Sequence, residues 1–190
     1  DSMANVLYGM KNTHSINLDH IIQHGLSVKK GVKESLVVVD MPKGTYQTKK
    51  EAKKNAKNII NTTKCDAVKL ESNNKNFNII KHLVNSNIPV MGHIGYTPQF
   101  KKKFKIEGNT LKKALNLLKE AKSIEKAGAF AIVLECLSPN ASKLITKNLS
   151  IPTIGIGSSS ECDGQILVTD DMLGLSGFYP KFVKKYVSLD

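Results

Sequence analysis

Apolar residues recur along this chain in two alternating rhythms. Short runs at residues 35–39, 67–70, 88–94 and 130–134 have the length and composition of strands buried on both faces. Between them, apolar residues return every three or four positions, as on one face of a helix. The spacing of Leu18, Ile21, Ile22 and Leu26 predicts a helix over residues 17–30, stopped by Gly31. Thr48-Lys49-Lys50-Glu51 has the form of a capping box, and Ala52, Ala56, Ile59 and Ile60 behind it predict a helix to about Asn61. Phe77, Ile80, Leu83 and Val84 mark a short helix. Leu111, Leu115, Leu118, Ala121 and Ile124 mark the inner face of the longest one, ended by Gly128. Ser138-Pro139 supplies an N-cap followed by proline at the first helical position, for a helix with Leu144 and Ile145 inside. Six strands are expected, over residues 35–40, 66–71, 88–95, 130–135, 151–157 and 165–170, while residues 1–15 read as loop.

Strands alternating with helices are the signature of parallel α/β architecture. A closed eight-stranded barrel would need two more strands than the six visible, and an open doubly wound sheet is the competing topology. The chain opens on Asp1, with Met3 in a predicted loop, so it is expected to lack its natural beginning and an upstream strand.

Polar residues at the strand ends change this picture. In Asp66-Ala67-Val68-Lys69-Leu70-Glu71, side chains alternate, so Val68 and Leu70 share one face while Lys69 and Glu71 share the other. Two further strands end on Asp40 and Glu135. Three carboxylates therefore stand at C-terminal strand ends, where parallel α/β folds place their chemistry. Buried charges cost several kcal/mol unless paired or bound to a ligand. Each residue also has a plainer reading. Asp40 could be a turn residue before Met41-Pro42, Lys69 and Glu71 a structural pair, Glu135 a helix cap, His93 a satisfied core histidine and the Ser158-Ser159-Ser160 run a flexible turn. Three strand-end carboxylates with a lysine on the same face favour a site.

Composition excludes some functions and narrows others. A chain of 190 residues that is 41% hydrophobic suits one globular domain with a sizeable core. It has no membrane-length apolar run and no leader, so a cytoplasmic location is expected. The net charge of +12 first suggests nucleic acid, yet all 28 basic residues are lysine, and bidentate reading of bases and phosphates relies on arginine. Neither nucleic acid nor membrane is therefore expected as a partner. Cys65, Cys136 and Cys162 lack metal or disulfide spacing and read as buried thiols.

Six motifs, in order, resemble ketopantoate hydroxymethyltransferase: Asp1-Ser2-Met3; Val39-Asp40-Met41-Pro42; Val68-Lys69-Leu70-Glu71; residues 89–99 (Pro-Val-Met-Gly-His-Ile-Gly-Tyr-Thr-Pro-Gln); residues 129–136 (Ala-Phe-Ala-Ile-Val-Leu-Glu-Cys); and residues 151–157 with 163–168. The resemblance spans essentially the whole chain. It implies a (β/α)8 TIM barrel catalytic domain over residues 1–190, covering about strands 3 to 8 and incomplete at both ends, assembled as a homodecamer. It further implies Mg2+-dependent hydroxymethyl transfer from 5,10-methylenetetrahydrofolate to 3-methyl-2-oxobutanoate, in pantothenate and coenzyme A biosynthesis. By position it implies Asp1, Asp40 and Glu71 as metal ligands, Glu71 directly or through water. Ser2, Asp40 and Lys69 would hold the substrate, Glu135 would be the catalytic base and His93 would line the pocket. The chain departs from the family pattern at Gly9-Met10-Lys11-Asn12-Thr13, at Ser72 and at Ser158 to Ser160, all in loops at the mouth.

The chemistry suits these residue types. A 2-oxo acid offers two adjacent oxygens to a hard cation, and Mg2+ takes one or two carboxylates beside water and substrate. A carboxylate within reach can then remove the acidified C3 proton. Residues 97–108, with four lysines and two phenylalanines, are the candidate lid that excludes water. The rival readings are a lyase or mutase of the phosphoenolpyruvate/isocitrate-lyase kind, a basic nucleic-acid-binding protein, or an inactive fragment.

Overall fold

Each strand of this protein pairs in parallel with the next one in the chain. The structure, a computed structural model, describes residues 1–73, 76–101, 103–177 and 179–189. Its sheet runs β1 (Val38–Asp40), β2 (Ala67–Glu71), β3 (Val90–Gly95), β4 (Ala131–Glu135), β5 (Thr153–Ile156) and β6 (Gly164–Gln165), in that spatial order. A doubly wound sheet would reverse direction at a switch point, so this unbroken order excludes it. The sheet is a curled half-barrel, with α3 (Lys49–Thr63), α4 (Phe77–Val84), α5 (Leu111–Lys126) and α6 (Pro139–Asn148) in the crossovers and α2 (Leu18–Gly31) ahead of β1.

The caps read from sequence form as hydrogen bonds. Thr48 Oγ1 accepts from the Glu51 N–H at 3.2 Å while Glu51 Oε2 accepts from the Gln47 N–H at 3.1 Å, and Ser138 Oγ accepts from the Ala141 N–H at 3.3 Å. Gly128 closes the region after α5 with φ +94°. Gly31 instead stays helical, and Val32 ends α2 in extended conformation. Residues 1–15 are not all loop, since Met3–Val6 form the short α1.

Two strand expectations and one helix face need correction. The first strand begins only at Val38, because Leu36 lies at the sheet's open edge and is 71% exposed. The sixth strand pairs only at Gly164 and Gln165, and Thr169–Leu173 form α7, whose first turn carries Asp170 and Asp171 where a helix N-terminus favours negative charge. The inner face of α5 is Ala114, Leu117, Ala121 and Ile124, whereas Leu111 is 73% exposed and Leu115 is also exposed. The small side chains at positions 114 and 121 let the helix lie close to the sheet, and Ile124 fills the space that Gly92 leaves. A Cβ at Gly92 would sit 2.5 Å from Ile124 Cγ2.

Residues level across parallel strands point the same way, so register sorts the two faces. Val68, Leu70, Val90, Ile94, Ile132 and Leu134 are buried against the helices. The opposite face carries Asp40 level with Lys69, Glu71 level with His93 and Val133, and Glu135 level with Gly95. Among the described residues no helix is long and apolar enough to cross a membrane, and all three cysteines are buried and free, as expected.

The α5 assignment is testable by urea denaturation. Leu117→Ala should cost about 2–4 kcal/mol, as buried Leu-to-Ala changes do, and Leu111→Ala less than about 1 kcal/mol. The reverse ranking would return the inner face to the Leu111 stripe.

Candidate active site

The polar residues of the open face meet at the C-terminal ends of β1 to β4. Asp40, Lys69, His93 and Glu135 line a cavity of about 680 Å3, floored by Met91, Val133 and Ile154. Lys69 Nζ stands 2.7 Å from Asp40 Oδ1, and the Asp1 main-chain nitrogen donates to Asp40 Oδ2 at 3.0 Å. Burial opposes ionisation of Asp40, but the Lys69 ammonium beside it holds its carboxyl below the usual carboxylate range. Burial likewise works against the Lys69 charge, and Asp40 and Glu71 overcome it, raising its pKa. The pair is therefore ionised, so the sheet face holds a fixed positive charge inside a cavity.

His93 carries this order on to Glu135. Its Nδ1 lies 3.3 Å from Lys69 Nζ, while Nε2 is 3.0 Å from the Tyr96 carbonyl and 3.1 Å from Glu135 Oε2. Among the described residues Nε2 faces acceptors and Nδ1 faces a donor. The surroundings thus specify a neutral ring protonated at Nε2. Burial, then the Lys69 charge, push the His93 pKa down, against Glu135 and Asp40, in keeping with that neutral form. His93 accordingly holds one oxygen of Glu135 while the half-buried carboxylate remains on the cavity.

Glu71 shares the face with Lys69, as the alternation predicts, but lies beneath the loop that follows β3. It is fully buried, and its Oε2 accepts from the Gln99 N–H at 3.0 Å. Burial, together with the charges of Asp40 and Glu135, raises its pKa to about 8 against the pull of Lys69 and the Gln99 N–H. Gln99, itself fully buried, donates from Nε2 to the Met41 carbonyl at 3.0 Å and accepts from the Tyr46 hydroxyl. Burial and the nearby Glu71 and Asp40 charges push the Tyr46 phenol up. Tyr46 carries no sequence signal of such a role. Gln99 has one, as the last residue of the fourth motif.

Asp1 lines the cavity and Ser2 lies on its rim, so both join the expected constellation. Among the described residues, however, no three His, Cys, Asp or Glu side chains stand together as a formed metal site. Two features suit a hard divalent cation all the same. Asp1 Oδ2 and Glu71 Oε1 are buried carboxylate oxygens without a hydrogen-bond partner among the described residues, and the wider set is all oxygen. A cation would also relieve the repulsion that keeps Glu71 from ionising.

A second cavity of about 540 Å3 adjoins the first and shares Ser2, Pro98, Phe104 and Glu135 with it. Lys11, Asn12 and Thr13, from the segment that departs from the family pattern, form part of its wall. The candidate lid at residues 97–108 contributes Phe104, which packs edge-on to Tyr96 and stacks on Phe182. This loop is tied down at Glu107, whose N–H donates to the Cys136 carbonyl and whose Oε1 accepts from Lys101 Nζ; Lys102 lies outside the described residues. The serine run is an ordered turn rather than a flexible one. Ser158 Oγ donates to the Leu134 carbonyl at 2.6 Å and accepts from the Leu137 N–H, and Ser159 Oγ accepts from the Glu161 N–H. Sequence reading missed Asp171 and Phe182, which close the mouth from the C-terminal segment. Gly157, at φ +57°, marks the second of these, because a Cβ there would meet the Phe182 ring at 2.5 Å.

Known proteins resemble this chain in sequence and in fold. Residues 1–190 match the protein family described as ketopantoate hydroxymethyltransferase. The chain is 50% identical over 190 residues to a 3-methyl-2-oxobutanoate hydroxymethyltransferase of Pelagibacter ubique (strain HTCC1062), covering 100% of this chain and 74% of that protein. It is 48% identical over 193 residues to the protein of the same name from Anaplasma marginale (strain St. Maries), covering 100% of this chain and 70% of that one. Among solved structures it resembles 2,3-dimethylmalate lyase, a PEP mutase/isocitrate lyase superfamily member, with TM-score 0.61 at 11% identity over 80% of this chain and 55% of that one. Phosphonopyruvate hydrolase aligns with TM-score 0.61 at 11% identity, over 98% of this chain and 66% of that one. At such identities the likeness concerns the fold alone. By the family match over residues 1–190 and by its relatives, this chain belongs to the ketopantoate hydroxymethyltransferase family.

Proposed function

We propose that this protein transfers a hydroxymethyl group from 5,10-methylenetetrahydrofolate to 3-methyl-2-oxobutanoate with the aid of Mg2+, giving 2-dehydropantoate. The names of its relatives support the acceptor and the group transferred. The observation that carries the chemistry is the ordered chain Asp40, Lys69, His93, Glu135, which sets a fixed cation and an oriented carboxylate around one cavity. We place the six strands as the third to eighth of a (β/α)8 barrel, whose sequential parallel order they follow.

In this reading Asp1, Asp40 and Glu71 hold Mg2+, which when bound would polarise the substrate carbonyl and stabilise negative charge on its oxygen. Lys69 neutralises the substrate carboxylate, and Ser2 donates a hydrogen bond to it from the rim. Glu135 removes the C3 proton, with His93 fixing Oε2 so that Oε1 faces the substrate. The enolate carbon then attacks the one-carbon unit released from the folate, forming the new carbon–carbon bond. Water cleaves that unit's two C–N bonds, its two hydrogens leaving on N5 and N10 of tetrahydrofolate and its oxygen becoming the carbonyl oxygen, and the alkoxide formed by the attack takes the proton held by Glu135 to become the hydroxyl. Pro98 and Phe104 limit water at the mouth, where an exposed enolate would merely be reprotonated.

The rival lyase or mutase reading draws on the fold likeness alone. Turnover of a phosphonate or of isocitrate, with none of 3-methyl-2-oxobutanoate, would replace the present reading. Product assay of the purified protein with 3-methyl-2-oxobutanoate, methylenetetrahydrofolate and Mg2+ should show 2-dehydropantoate, and Glu135→Gln should lower kcat by about 10^2 to 10^4. Unchanged turnover would remove Glu135 from the base's role. Lys69→Ala should raise KM for the 2-oxo acid by about 10- to 100-fold, the loss of one charge-assisted hydrogen bond. A KM that stays put would mean that Lys69 serves Asp40 only.

Metal uptake gives a further check. With its pKa near 8, Glu71 is protonated at neutral pH, so a cation must displace that proton. Mg2+ affinity should therefore rise as pH climbs from 6 to 8 and level off above, with release of about one proton per ion in calorimetry across buffers. A pH-independent affinity would exclude Glu71 from the ligand set.

A further inference from the structure

The second cavity contains groups that the chemistry above leaves unused. Asp171 lies on its wall with 7% exposure, and its carboxylate has one hydrogen bond among the described residues, from Ser176 Oγ to Oδ1 at 2.6 Å. Thr13 Oγ1 is buried there without a hydrogen-bond partner among the described residues. Phe104 is 52% exposed at the entrance, presenting a ring edge-on to Tyr96 and stacked on Phe182. Lys11 also lines the cavity and Lys43 lies 3.4 Å from the ring nitrogens of His14, another lining residue, with neither lysine in an ion pair among the described residues. The cavity thus combines a buried carboxylate, an aromatic surface and the Lys11 cation, with Lys43 beside the lining residue His14. Its inner wall includes Glu135, the residue assigned to the acceptor's C3 proton.

A reduced pterin has the complementary layout. Its 2-amino group and ring N3–H form a two-donor edge that a carboxylate accepts bidentately. Its flat p-aminobenzoyl unit stacks on aromatic rings, and its glutamyl tail is anionic. A volume of about 540 Å3 lies within the range of pockets that bury ligands of this size. We propose that this cavity is the folate subsite, with Asp171 taking the pterin amino edge, Phe104 the aromatic unit, and Lys11 and Lys43 the glutamyl carboxylates. The assignment rests on the hydroxymethyl-transfer reading and names the residues that would bring the carbon donor up to Glu135.

Equilibrium binding of tetrahydrofolate, with mono- and triglutamyl tails, tests this without any turnover. Asp171→Asn should weaken both ligands by about tenfold or more, the loss of a charge-assisted contact. The double change Lys11→Glu, Lys43→Glu should weaken the triglutamyl form several-fold more than the monoglutamyl form. Unchanged binding in Asp171→Asn overturns the pterin placement, and equal effects on the two tails overturn the lysine assignment. Should Asp171→Asn fail to fold by circular dichroism, Phe104→Ala takes its place, with the same tenfold expectation and the same contrary result. A wild-type protein that ignores tetrahydrofolate overturns the inference, even if it exchanges the substrate's C3 proton. Binding that depends on these residues in a protein inert toward 3-methyl-2-oxobutanoate upholds the subsite and removes the acceptor reading instead.

Discussion

The ion pair between Lys69 and Asp40, 2.7 Å apart on the cavity side of the sheet, is the contact on which the rest of the site depends. Removing two charges from water costs several kcal/mol each, and their mutual attraction seldom returns more than that, so such a pair is a poor device for stability. Its value here is orientation. Lys69 keeps Asp40 ionised, offers a donor to His93 Nδ1 and so leaves Nε2–H for Glu135. Asp40, His93 and Glu135, on three strands, are thereby oriented by one lysine on a fourth.

The sheet makes this possible because its period is two. Lys69 and Glu71 on β2, His93 on β3 and Glu135 on β4 all occupy the cavity phase, and parallel register brings their ends together. A one-residue slip of any strand would exchange these charges with Leu70, Ile94 or Leu134 of the helix-facing core. Packing against α5 fixes that phase, with Gly92 admitting Ile124 into space that any other side chain there would occupy. Core and site are therefore two faces of the same register.

Much of this was legible in the sequence, for identifiable reasons. Alternation in Val68-Lys69-Leu70-Glu71 placed Lys69 and Glu71 on one face, and the Thr48 and Ser138 caps rest on local bonds that short motifs encode. The inner face of α5 was not legible, because leucines and alanines spread over an arc wider than the sheet covers, and the choice between them is made by Gly92 on another element. The sixth strand failed for a similar reason, since Ile166-Leu167-Val168 reads as strand while its neighbours at Asp170 and Asp171 start a helix. Tyr46, which braces Gln99 over Glu71, acts through a contact 53 residues distant and leaves no local pattern, whereas Gln99 stands at the end of the fourth motif. Whether the carboxylates gather around a metal is a question of ligand as much as of chain.

The central claim is that Glu135, oriented by His93 and Lys69, takes a proton from C3 of a 2-oxo acid. Proton NMR of 3-methyl-2-oxobutanoate in D2O tests it most directly, because C3 exchange needs neither folate nor turnover. The account predicts exchange that requires both the protein and Mg2+ and disappears in Glu135→Gln. Exchange that persists in that variant, or none from the folded wild-type protein with Mg2+, would contradict it.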